Sequence, residues 1–192
     1  KDLEARLLGI PTGSQDYWAA IRGGCNLISY PAGREEVETL SFDFIKNSSL
    51  TFLLLFSGES RFSGMNNWDV YKKVIDGDNN TREGLAKIGQ FASLCGQSLK
   101  KQDLNSALEF SKKEWQERIK LWPKVETKRT REIKNFLSDS KAVLTRVCGA
   151  GGGGAMTTFI EQERLQSVKK KLKENGVEVL EANLCSQALM KN

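Results

Sequence analysis

The chain has 192 residues, 39% hydrophobic and 28% charged, with 29 Lys plus Arg against 24 Asp plus Glu for a formal net charge of +5. These proportions belong to a folded chain and argue against intrinsic disorder. Histidine is absent, which removes Ser-His and Cys-His nucleophilic mechanisms and leaves proton transfer to carboxylate, lysine or tyrosine.

Residues 1 to 8 space Leu3, Leu7 and Leu8 as a helix does, and Gly9-Ile-Pro-Thr-Gly13 breaks it. A short second helix is predicted over Gln15 to Arg22, ended by Gly23-Gly24. Cys25 to Tyr30 and Val37 to Phe44 read as paired strands around Pro31-Ala-Gly33, and this opening stretch resembles the tail of a preceding domain. With Lys1 in place of an initiating methionine and a helix already under way, the chain is expected to be a fragment of a longer polypeptide.

After the polar break at Lys46-Asn-Ser-Ser, a new domain is expected, giving a division into 1–47 and 48–192. Leu50 to Phe56 (LTFLLLF) has the near-continuous apolar character of a strand buried on both faces. Helices are predicted near 67–76, 81–100, 104–121 and 125–139, with an Asn80/Glu83 capping box for the second and Asp103 as cap for the third. Trp115, Trp122, Leu121 and Phe110 form an apolar stripe expected in the core. Ala142 to Cys148 and Ala155 to Glu161 are strand-like and flank a glycine loop, and a lysine-rich helix over about 162–175 leads to a last strand, Val177 to Leu184. The resulting order of strand, helices, strand, strand, helix, strand predicts an α+β fold. Its second domain is a ferredoxin-like (split βαβ) arrangement with an enlarged helical insertion in the first connection.

The basic residues are spread along mixed-sign helices, and Lys169 to Lys173 sit in an amphipathic pattern that reads as a solvated helix face rather than a phosphate-binding stripe, so no nucleic-acid partner is expected. The longest apolar run is far too short to span a bilayer and no signal-peptide pattern opens the chain, so no membrane partner and a cytoplasmic location are expected. Cys25, Cys95, Cys148 and Cys185 lie far apart with no metal-ligand spacing and read as reduced thiols in apolar surroundings.

Two segments could carry chemistry. Gly149-Ala150-Gly151-Gly152-Gly153-Gly154 joins two strands, and its missing Cβ atoms permit positive φ, so that backbone N–H groups can converge on an anion such as phosphate. A flexible turn is the alternative, and a Walker loop is excluded because no Gly-Lys-Ser or Gly-Lys-Thr follows. Asp16, in the first turn of the second helix, can cap that helix or act as a general base during phosphoryl transfer.

Together these segments resemble the GHMP kinases, the family of galactokinase, homoserine kinase, mevalonate kinase and phosphomevalonate kinase. Gly9-Ile-Pro-Thr-Gly-Ser-Gln-Asp-Tyr-Trp-Ala-Ala-Ile-Arg-Gly-Gly24 is similar to the segment bearing the family's catalytic aspartate, Val147-Cys-Gly-Ala-Gly-Gly-Gly-Gly154 to its third motif, and Leu53 to Arg61 to the strand and loop opening its C-terminal domain. The Gln15-Asp16 pair and the Gly-Gly ending resemble the heptose-phosphate and fucose kinase branch.

The resemblance implies an ATP-dependent sugar or sugar-phosphate kinase. Asp16 would be its base, Gln15, Tyr17, Gly23, Gly24 and Arg61 would border the substrate, and Gly149 to Gly154 would lie beside the phosphates. It implies ATP and magnesium as cofactors, bound mainly by an N-terminal half that this chain lacks as a partner, so residues 1–192 alone are expected to be inactive. The sequence departs from the family in having no Gly-Leu-Gly-Ser-Ser phosphate loop, and at Thr145 and Arg146, where relatives often carry a small residue and lysine. The alternatives are a non-catalytic anion-binding or interaction module and an ATP-dependent decarboxylase of the same fold.

Overall fold

The computed structural model describes residues 2–9, 13–59 and 68–182 and divides into two compact units between Asn47 and Ser48. In the first unit, helices α1 (Asp2–Leu8) and α2 (Gln15–Arg22) precede an antiparallel pair, β1 (Cys25–Ser29) and β2 (Glu36–Leu40), and a single turn of helix, α3 (Asp43–Lys46). The β1–β2 register sets Cys25 against Leu40 and Ser29 against Glu36. Phe42 and Ser14 are buried here, and Phe42 lies after the second strand, which ends at Leu40, four residues short of the expected Phe44. Burial pushes the Cys25 thiol up, away from the thiolate a nucleophile needs.

The second unit holds β3 (Leu50–Phe56), α4 (Trp68–Ile75), α5 (Asn79–Lys100), α6 (Leu104–Leu121), α7 (Lys128–Asp139), β4 (Leu144–Val147), β5 (Ala155–Glu161), α8 (Leu165–Glu174) and β6 (Glu178–Leu180). Its sheet has the order β4-β5-β3-β6 with every neighbouring pair antiparallel. The order follows from the connections: the glycine loop closes β4 onto β5, and β3 then pairs with β5 on one side and β6 on the other.

The registers Leu55↔Met156, Leu53↔Thr158 and Val147↔Met156 put these residues on one sheet face. With Trp115, Trp122, Val125, Ile133, Leu137, Ile160, Val168 and Leu172 they make the core. Burial at this scale is the main source of stability, about 25 cal/mol per Å² of apolar surface removed from water. Thr145 and Thr158 are buried as a cross-strand pair that satisfies itself, with hydroxyls 2.8 Å apart and Thr158 donating to the Leu144 carbonyl at 3.0 Å.

β3 is buried on the Leu53/Leu55 face, whereas Phe52 and Leu54 on the other are half-exposed; Phe52 packs on Phe159, its register partner, at 5.6 Å between ring centres. An unbroken apolar run does not say how closely each face is covered. α5 starts at Asn79, and its cap is Asp78, whose carboxylate accepts from the Asn80 N–H at 3.1 Å and the Thr81 hydroxyl at 2.7 Å, so the Asn80/Glu83 box does not form. β6 spans three residues within the described part, and residues 183–184 of the expected strand lie outside it, as does Cys185.

α6 matches its prediction, with Asp103 accepting from the Ser106 N–H at 3.0 Å. α7 begins with a capping box in which the Thr127 hydroxyl accepts from the Thr130 N–H and the Thr130 hydroxyl from the Thr127 N–H. α8 turns Val168 and Leu172 inward and leaves Lys169, Lys170, Lys171 and Lys173 exposed, a solvated face. Among the described residues no helix is long and apolar enough to cross a membrane.

Candidate functional site

The glycine loop between β4 and β5 is built as its composition requires. Gly149, Gly151, Gly152, Gly153 and Gly154 all have positive φ, between 63° and 108°, a run that L-residues with a Cβ adopt only at a cost of roughly 1–2 kcal/mol each. The loop is also tightly seated. A Cβ on Gly151 would fall 2.3 Å from Val125 Cγ2 and 2.7 Å from the Val125 carbonyl oxygen, and one on Gly153 would fall 3.2 Å from Glu59 Cβ.

Two of its amides are already engaged, Gly152 N–H donating to the Val125 carbonyl at 2.9 Å and Gly154 N–H to the Glu59 carbonyl at 3.0 Å. The N–H groups of Gly149, Ala150, Gly151 and Gly153 make no hydrogen bond to a described residue. The loop is therefore anchored at two amides, while four others have no hydrogen-bond partner among the described residues, Gly151 and Gly153 being buried.

Arg146, on β4 just before the loop, does not reach into it. Its guanidinium donates to the Ser111 hydroxyl at 3.0 Å, stacks 5.0 Å from the Trp115 ring centre, and lies 2.9 Å from Glu114 Oε2, an ion-pair distance whose angle forms no hydrogen bond. The buried Glu114 is held through its other oxygen by Arg118. On the far side of Trp115 the indole N–H donates to the buried Glu126 at 2.9 Å, and Lys134 binds the same carboxylate at 2.6 Å. This network ties α6 and α7 to the turn at Pro123–Val125, whose last carbonyl receives Gly152.

In the first unit, Ser14 occupies the N-cap of α2 with its hydroxyl turned to the Tyr30 hydroxyl at 3.4 Å and no side-chain capping bond, so Asp16 is not the cap. It sits in the first turn, exposed, where the helix dipole favours a negative charge. It makes no hydrogen bond or ion pair with another described residue. Gln15 is exposed and its side-chain amide folds back over Gly13.

Tyr17 donates its phenol to Glu4, and that hydrogen bond is the main reason its proton is held more tightly than in an ordinary tyrosine. Trp18 donates to Glu35 at 2.8 Å, which braces the helix against the segment before β2. Gly23 and Gly24, with φ of 64° and 68°, turn the chain from α2 into β1; Gly23 N–H closes on the Ala19 carbonyl and its own carbonyl accepts from Asn26 at 2.8 Å. Arg61 lies outside the described residues.

Glu59, Thr127 and Val125, which the sequence did not single out as partners of the loop, are brought to it by the fold. Among the described residues no three His, Cys, Asp or Glu side chains converge on a point that could hold a metal ion.

Residues 97–178 match the family model for GHMP kinases C terminal. The chain is 28% identical over 182 residues to the D-glycero-alpha-D-manno-heptose 7-phosphate kinase of Campylobacter jejuni, covering 91% of this chain and 52% of that protein, so it spans about half the length of this relative. Among solved structures it resembles L. major mevalonate kinase in complex with R-mevalonate, at TM-score 0.72 and 17% identity over 88% of this chain and 52% of that one. It also resembles a D-glycero-D-manno-heptose 1-phosphate kinase from Bacteriodes thetaiotaomicron, at TM-score 0.62 and 19% identity over 93% and 48%. Residues 97–178 thus match the family model for GHMP kinases C terminal, and the chain shares an α+β fold with these solved structures.

Proposed function

We propose that this chain is the C-terminal part of a GHMP-type kinase that transfers the γ-phosphoryl group of ATP to a hydroxyl of a sugar or sugar phosphate. The observation that carries the reading is the glycine loop 149–154, with consecutive positive φ and open N–H groups, inside a segment matched to the family. The heptose-phosphate kinases among the similar proteins favour a phosphorylated sugar as substrate class. The strand order β4-β5-β3-β6 supports a ferredoxin-like (split βαβ) reading of the second unit, with α4 to α7 as its enlarged connection. The first unit is then the remnant of the preceding domain.

Phosphoryl transfer needs little covalent chemistry from the protein, so the assigned roles are positioning and charge stabilisation. Asp16 accepts or orients the proton of the attacking hydroxyl. The amides of Gly149, Ala150, Gly151 and Gly153 donate to phosphate oxygens. Gln15, Tyr17, Gly23, Gly24 and Arg61 border the sugar. ATP and magnesium, which supplies charge neutralisation at the phosphates, are held mainly by the N-terminal part.

The test is Asp16→Asn in the full-length protein, offered labelled ATP and a panel of sugars and sugar phosphates. The variant should fold normally and lose about 10²–10⁴ in kcat, the range attributed to a positioned acid or base. Near-normal turnover would refute the role of Asp16.

A further inference from the structure

The glycine loop depends on two carbonyls from distant parts of the chain. Gly154 N–H is fixed by Glu59, just past β3, and Gly152 N–H by Val125, in the turn before α7. The side chains next to those carbonyls are joined, since the Thr127 hydroxyl donates to Glu59 Oε2 at 2.5 Å. A hydroxyl has a single proton to give. The Thr127 oxygen already accepts from the Thr130 N–H at 3.1 Å as the cap of α7, and of the two acceptors its proton can reach, Glu59 Oε2 at 2.5 Å is much nearer than the Thr130 hydroxyl at 3.3 Å.

We infer that Glu59 is a positioning residue for the glycine loop: its carboxylate fixes Thr127 and its carbonyl fixes Gly154, which sets the spacing of the two anchors and holds the Ala150, Gly151 and Gly153 amides open. This rests on the phosphate reading of the loop. Its chemistry separates positioning from direct ligand binding. A Cβ on Gly153 would lie 3.4 Å from Glu59 Oε2, so a negative charge stands against the loop and opposes an arriving anion. A residue selected there to bind phosphate would be neutral or basic. A carboxylate serves if its task is to accept the Thr127 proton.

The experiment uses the 192-residue chain labelled with ¹⁵N, following amide exchange at Gly152 and Gly154 and titrating inorganic pyrophosphate against the loop amides. Glu59→Ala leaves the Thr127–Thr130 capping box in place, yet exchange at both glycines should accelerate by about tenfold, the equivalent of one lost hydrogen bond. Thr127→Val should do the same, and Thr127→Ser should restore wild-type protection. Glu59→Gln keeps an acceptor while removing the charge, so protection should persist and pyrophosphate should bind severalfold more tightly. Asp103→Ala, which removes a cap in another helix, should leave exchange at both glycines unchanged.

Unchanged exchange at Gly152 and Gly154 in Glu59→Ala overturns the inference, as does acceleration of the same size in Asp103→Ala, which would reduce the effect to general stability. If the exchange pattern appears but pyrophosphate shifts no loop amide in the wild-type chain, the positioning role of Glu59 stands and the phosphate reading of the loop fails. Should Glu59→Ala not fold, Thr127→Val against Thr127→Ser decides by the same criterion.

Discussion

At Gly151 a left-handed φ and a severe steric clash coincide. An alanine there would have to hold φ near 79° and would drive its Cβ to within 2.3 Å of Val125 Cγ2 and 3.0 Å of Val125 Cα, where backbone cannot step aside. Gly77, with φ of 89°, has nothing within 4 Å of the same position. Gly77→Ala should therefore cost about 1–2 kcal/mol, the left-handed conformation alone. Gly151→Ala should cost roughly 2–5 kcal/mol once crowding of the buried site is added. Urea unfolding of the two variants measures the difference, and equal losses would mean that the loop is not seated on Val125 as described. Conformation was legible here from the run of glycines, because few other residues tolerate consecutive positive φ. The partners were not. Glu59 reads as an ordinary acid after a Ser-Gly turn, and Val125 as one apolar residue among many; both acquire meaning through contacts spanning much of the chain, which no local pattern encodes.

Among the elements, helix starts were readable to the extent that a short polar side chain could be placed against the first free amides. Asp103 is such a case, and it caps α6 as its position before the apolar run implies. Asp78 was overlooked in favour of Asn80 because both stand ahead of the same helix, and the choice depends on which residue keeps an extended backbone; Asp78 does, at φ −68° and ψ 107°. β3 marks the opposite limit: its apolar run announced a central strand, yet Phe52 and Leu54 remain half-exposed because the cover over that face is set by tertiary packing.

The Asp103 cap predicts a pH response. Its carboxyl is held below the usual aspartate range, first by the Ser106 hydroxyl and then by the Ser106 backbone amide. Since the native value lies below the unfolded one, the stabilisation is complete above about pH 4 and fades as pH falls through the lowered native value. The difference in urea midpoint between wild type and Asp103→Ala should stay constant from pH 8 to 5 and narrow below 4. Asp103→Asn, which caps without ionising, should show no such narrowing. A gap that widened on acidification would contradict the hydrogen bonding described.

For the molecule as a whole, the division between Asn47 and Ser48 separates two kinds of content. The hydrophobic core, the anchored glycine loop and the Glu114, Arg146, Trp115 and Glu126 network all belong to residues 48–182. Asp16 belongs to the first unit, whose α1 and α2 expose Leu3, Leu7 and Ile21. Phosphoryl transfer to a sugar hydroxyl requires more than these parts. The charge on the transferring group must be neutralised, and water must be kept from competing with the sugar. Among the described residues no carboxylate cluster is available to hold magnesium, and the chain spans only about half the length of the heptose-phosphate kinase it resembles. Purified residues 1–192 should therefore give no transfer from labelled ATP to any sugar or sugar phosphate and no ATP hydrolysis above the blank. The full-length protein should phosphorylate at least one member of the same panel. Robust turnover by the 192-residue chain would show that it contains a complete nucleotide site and would overturn the assignment of that site to an N-terminal part.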